Sequence, residues 1–129
     1  MHAYPKAARL PDRASFQRVL RHGKRYRAAG LTVVYLPNAV FRARLGLVVP
    51  KRQVRRATMR NRIKRILRES FRMQGPWLQP GDVVVLVYKE AAHLPPGMLR
   101  RSMDELLARC AQRLHEEEGG TERALCAIS

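Results

Sequence analysis

Leu45–Arg72 reads LGLVVPKRQVRRATMRNRIKRILRESFR, and its parts set the middle of the fold. Phe41, Ala43, Leu45, Leu47 and Val49 alternate with Val40, Arg42, Arg44, Gly46 and Val48, the period of a strand with one buried face. Pro50 ends that strand, and a basic loop over residues 51–57 leads into a helix expected over 58–73. At about 100° per residue, Met59, Ile63, Ile66, Leu67 and Phe71 gather within about 120° of the helix circumference. Arg60, Asn61, Arg62, Lys64, Arg65, Arg68 and Arg72 spread over the remainder. One side of this helix is built to pack, and the other carries charge.

Upstream, Asp12 can cap a first helix that Gly23 stops, with Phe16, Val19 and Leu20 as its apolar stripe. Leu31–Leu36 (LTVVYL) has strand composition and ends at the turn signal Pro37-Asn38. This strand and the next are expected to form an antiparallel hairpin, with a short extra strand near Lys24–Arg27. Downstream, Gly75-Pro76 and Pro80-Gly81 bracket the exit from the charged helix. Val83–Tyr88 (VVVLVY) is then an unbroken apolar run, the mark of a central strand buried on both faces. A last helix follows Pro95-Pro96-Gly97, with Leu99, Met103, Leu106, Leu107, Cys110 and Leu114 at helical spacing. The fold class is therefore α+β, a single-sheet sandwich of αβββαβα type. It is expected to be one domain over residues 1–117, with 1–10 flexible and 118–129 a flexible tail. The strand–helix–strand crossover should be right-handed by the general rule.

The chain has 129 residues, with 26 Lys and Arg against 10 Asp and Glu, a net charge of +16. The partner this implies is a polyanion. Placement says more than the total: residues 1–81 hold 20 basic and 2 acidic side chains, whereas 82–129 hold 6 and 8. Ten of the basic residues fall within Lys51–Arg72, where Glu69 is the sole acid. Such crowding costs helix stability unless a polyanion relieves it. Arg can bridge phosphate oxygens bidentately, and the Asn61 amide can both donate to and accept from a ribose hydroxyl. Nucleic-acid binding is the function this pattern supports over a merely solvated face.

Other classes are disfavoured. No apolar run reaches the length of a membrane span and the N-terminus lacks the apolar stretch of a signal peptide, so a cytoplasmic protein without membrane contact is expected. Cys110 and Cys126 lack metal-ligand spacing and are expected to be inert thiols. Asp12, Asp82 and Asp104 fall on separate elements, and neither His22 nor His93 has a triad partner nearby in sequence, so no catalytic or metal-binding residues are assigned.

The run Lys51–Arg72, with Arg60-Asn61-Arg62 at its centre, resembles the signature helix of the bacterial ribonuclease P protein component. Phe16–Gly23 (FQRVLRHG) resembles that family's first helix, Leu45–Arg52 its strand into the basic loop, and Gly81–Val87 its later strand. The resemblance implies a ribosomal protein S5 domain 2-like fold whose βαβ crossover is left-handed, contrary to the general rule. It also implies the protein subunit of an endonuclease that removes the 5′ leader from precursor tRNA, with a catalytic RNA as partner, one protein per RNA. Mg2+ would be held mainly by that RNA. Carried over by position, Lys51, Arg52, Arg60, Asn61, Arg62, Lys64, Arg65 and Arg68 face the catalytic RNA. Phe16, Val19, Leu20, Tyr35 and Val48 line the cleft for the single-stranded leader, although some members have a second aromatic where this chain has Leu20. A ribosomal or other structural RNA-binding protein would also be small, basic and α+β. A DNA-binding regulator would need a recognition helix in a helix-turn-helix spacing that is missing here.

Overall fold

The apolar run after Gly81 becomes the strand around which the rest is arranged. A computed structural model describes residues 9–40, 42–75, 78 and 80–111. Strands β1 (Lys24–Ala28), β2 (Leu31–Pro37), β3 (Arg44–Val48) and β4 (Gly81–Val87) form one sheet in the order β1-β2-β4-β3. β4 pairs antiparallel with β2 and parallel with β3. Val83, Val84 and Val85 are wholly buried because helices cover both faces of this strand, which leaves it no side for polar residues.

Helix α1 (Arg13–His22) covers one face, where Val19 meets Val34 and Val84. Helix α2 (Ala57–Gln74) and helix α3 (residues 96–111) cover the other. There Ile63, Leu67 and Phe71 join Val33, Tyr35, Leu45, Val83 and Val85, with Leu99, Met103, Leu106 and Leu107 behind them. The helix over 58–73 thus forms almost as its periodicity demands, and its apolar arc is the buried one. A 3₁₀ turn (Lys89–His93) links β4 to α3. The observed order is αβββαβα, with β3–α2–β4 as the parallel crossover for which the family resemblance implies the left-handed sense.

Three expectations are corrected. β2 and β3 do not pair as a hairpin; β4 lies between them, since an all-apolar strand gains most from two bonded neighbours. β3, expected from Val40, starts at Arg44. Asn38 turns the chain away there, its Oδ1 accepting from Val40 N at 3.1 Å and its Nδ2 donating to Arg42 O at 2.9 Å. Phe41 lies outside the described residues. Finally, Arg9 and Leu10, placed by sequence in a flexible N-terminus, are docked: Arg9 bridges Leu45, and Leu10 N donates to Leu45 O at 3.2 Å. Residues 1–8 and 112–129, including Leu114, Cys126 and the proposed tail, lie outside the described residues.

Candidate nucleic-acid interface

The basic loop is held rigid by its own backbone. Gln53 N and Val54 N both donate to Pro50 O at 3.0 Å, and Val54 is buried as an anchor. Arg60 then reaches back from α2, its Nη1 donating to Val54 O at 2.9 Å and Arg55 O at 2.8 Å. Gln53 Oε1 accepts from Lys89 N at 3.0 Å, which fixes the loop to the end of β4. Lys51 and Arg52 stand exposed on this frame. Arg56 caps α2 without a side-chain hydrogen bond, and no acid occupies the first turn. The helix dipole therefore adds positive potential where the loop presents its cations.

The eight side chains assigned to the catalytic RNA do not share one direction. Asn61 and Arg65 point outward, opposite the buried arc. Lys64 and Arg68 lean over the β3 edge, where they line a cavity of about 180 Å3 with Arg9, Leu10, Phe16 and Gly46. Arg62 leans the other way, into an apolar crevice with Met59, Ile66, Ala92 and Pro96. Arg60 is committed to the loop carbonyls. The helix thus offers one outward row with two flanks.

Of the five side chains assigned to the cleft, Phe16, Leu20 and Val48 are partly buried around the Val19–Val34–Val84 cluster. Val19 is their buried support, with no exposed surface of its own. Tyr35 is corrected: it lies on the opposite face of the sheet, in the α2 core, and its hydroxyl donates to Pro80 O at 3.4 Å. A strand's alternation decides this, because Val34 and Leu36 take the α1 face and Tyr35 cannot. Phe16 seats on bare backbone at Gly46, where an added Cβ would lie 2.4 Å from the ring. Gly46, Leu10 and Arg9 escaped the sequence reading as parts of this site. A glycine inside an otherwise regular strand was the available signal for the first, since it marks close approach.

The acids are structural. Asp12 Oδ1 caps α1 by accepting from Ser15 N at 2.8 Å. Asp104 accepts from the Ser70 hydroxyl between α2 and α3. Asp82 is fully buried among Arg44, Arg18 and Asn38. Burial pushes the Cys110 thiol up to about 12, so it stays protonated. Among the described residues no three His, Cys, Asp or Glu come together as a metal-ligand set, and no helix is long and apolar enough to cross a membrane.

An open α+β sheet with a rigid basic loop, a cationic helix and an adjoining aromatic cavity defines a class, the small RNA-binding proteins. Comparison narrows it. The family model Ribonuclease P matches residues 4–111. The ribonuclease P protein component of Photorhabdus laumondii is 38% identical over 107 residues, covering 83% of this chain and 90% of that protein. That of Methylococcus capsulatus is 34% identical over 114 residues, covering 85% and 89%. The structure of Staphylococcus aureus RNase P protein superposes with a TM-score of 0.74 at 28% identity, covering 80% of this chain and 94% of that one. The Thermotoga maritima RNase P protein gives 0.70 at 29%, covering 78% and 96%. The chain belongs to the bacterial ribonuclease P protein family, and is a protein subunit of that RNA–protein endoribonuclease.

Proposed function

We propose that this chain holds two RNAs at once, the catalytic RNA by charge and the 5′ leader of precursor tRNA in the groove beside α1. The observation that carries this reading is the shared cavity at the β3 edge, where Lys64 and Arg68 of α2 meet Phe16 of α1. Cations that can bind a phosphate backbone and a ring that can stack a base are thereby brought to one place from opposite faces of the sheet. Backbone contacts position without reading sequence, and base stacking tolerates any base, which suits leaders of varied sequence. Lys51, Arg52, Asn61 and Arg65 face the catalytic RNA, and Lys64 and Arg68 stand between the two RNAs.

The chemistry belongs to the RNA. Mg2+ would be held mainly by the RNA and would supply the hydrolytic chemistry there, while the protein promotes cleavage by neutralising backbone charge and holding the substrate. No protein side chain acts as acid, base or nucleophile. One protein serves each RNA, in the cytoplasm. The test is reconstitution: the purified chain added to its cognate catalytic RNA should promote leader removal at low magnesium. Absence of stimulation would sink the reading, and co-sedimentation with ribosomes instead would favour a structural RNA-binding role.

A further inference from the structure

The sheet face beneath α1 continues past the residues assigned to the leader. Val48 is in register with Leu86, Leu86 with Thr32, and Thr32 with Arg27, so one row of side chains crosses all four strands on the α1 face. At the usual strand spacing the row is about 14 Å long. The row starts beside the Phe16 cluster, passes through the fully buried Thr32 and ends at the far edge beside a pocket of about 410 Å3 lined by Arg27, Thr32, Tyr88 and Glu90.

That pocket is built, not incidental. Ala29 (φ 47°) and Gly30 (φ 82°) form the tight turn between β1 and β2, and Gly30 abuts the 3₁₀ turn so closely that a Cβ would lie 2.5 Å from Ala91 N. Tyr88 N donates to Gly30 O at 2.9 Å, and Thr32 Oγ1 donates to the Tyr88 hydroxyl at 3.3 Å. The tyrosine ring is therefore fixed at both ends while remaining half-exposed. Arg27 and Glu90 are exposed, and among the described residues neither side chain is held in a hydrogen bond or ion pair. Edge strands often carry charge to deter strand addition, which would account for Arg27. It would not account for a carboxylate and a fixed aromatic ring facing the same space.

We propose that this pocket is a second leader subsite that takes a nucleobase with paired N–H donors, namely guanine. The base stacks on Tyr88, its N1–H and N2 amino group donate to the Glu90 carboxylate, and Arg27 meets the adjoining phosphate. Glu90 would repel a bare phosphate, so a base is the fitting occupant. The inference rests on the leader reading above and adds sequence preference to a groove otherwise indifferent to sequence.

The experiment measures holoenzyme affinity for precursor tRNAs whose leaders are lengthened stepwise, with guanine placed at each distal position in turn. One position should favour guanine over uracil about tenfold, a good bidentate pair being worth about that. Glu90→Gln, at an exposed site, should flatten the preference, and Tyr88→Ala should remove the gain from any base there. A leader contribution that depends on Phe16 but shows no guanine preference at any position, or a preference that survives Glu90→Gln, overturns this subsite alone. Loss of any leader contribution overturns the leader reading together with it.

Discussion

Arg44 grips the buried carboxylate of Asp82 with two hydrogen bonds, Nε to Oδ1 at 2.8 Å and Nη2 to Oδ2 at 2.9 Å. Arg18 of α1 adds a third at 3.2 Å and Asn38 a fourth at 2.7 Å. A single carboxylate thereby ties β3, β4, α1 and the turn after β2. Through Arg18 this knot adds a polar tie to the Val19–Val34–Val84 packing that seats α1 on the sheet.

Asp82 should accordingly be a stability determinant with an acid signature. Burial alone would raise its pKa, but hydrogen bonds from Arg44 and Asn38, the Arg44 charge and the Arg18 hydrogen bond outweigh it and hold the carboxyl below its ordinary 3.8. A depressed folded-state value means the stabilisation is complete above about pH 4 and fades as pH falls through the folded value. Asp82→Ala should lose about 3 kcal/mol at pH 7, as expected when one partner of a buried ion pair is removed. Urea denaturation at pH 7 and pH 3 checks this. A wild-type advantage that does not shrink at pH 3 would contradict it.

Gly46→Ala should act on leader binding through Phe16. The new Cβ would lie 2.4 Å from Phe16 Cζ and 2.8 Å from Leu10 Cδ1, so the ring has to leave its seat. Overpacking of this kind costs about 1 to 3 kcal/mol of stability. The selectivity effect should mimic Phe16→Ala, a reduced preference for precursor over mature tRNA with affinity for the catalytic RNA little changed. Equal losses for both tRNAs in either variant would place Phe16 outside the leader path.

Residues whose role follows from local pattern were legible in the sequence. The α2 face pattern, the Asp12 cap and the buried β4 run each depend on neighbours a few positions away. Pairing was less legible, because nothing within residues 31–49 states that β4, more than thirty residues on, will separate β2 from β3. Tyr35 shows the same limit within the site. Family position placed it in the cleft, while the alternation from Val34 to Leu36 puts it in the other core. The Arg27–Thr32–Tyr88–Glu90 pocket was invisible because it joins a turn, two strands and a 3₁₀ segment that touch only in three dimensions.

Ser70→Ala should loosen α3 without touching RNA affinity. Ser70 is buried on α2 and donates to Asp104, which also lies 3.6 Å from Arg100 Nε one turn earlier on α3. Removing the hydroxyl takes one hydrogen bond from a carboxylate that stays a third exposed beside Arg100, with an expected cost of about 0.5 to 1.5 kcal/mol. Thermal denaturation measures it, and unaltered RNA binding at a temperature where the variant is folded separates this interface from the RNA surface.

Arg60 and Arg65 occupy the same helix and carry the same charge, yet they should behave differently on substitution. Arg65 is exposed on the outward row, so Arg65→Ala should leave stability intact and reduce the salt slope of RNA binding by about one unit, the value of one lost phosphate contact. Arg60 is spent on Val54 O and Arg55 O. Arg60→Ala frees the basic loop, costing about 1.5 to 3 kcal/mol for hydrogen bonds from a charged donor, and raises hydrogen exchange at Gln53 and Val54. Its RNA affinity should fall because Lys51 and Arg52 lose their frame, and Arg60→Lys should recover little, since a single ammonium does not reproduce the guanidinium fork. If the two alanine variants show the same salt slope and the same exchange pattern, Arg60 is an RNA contact like Arg65, and the loop is held by other means.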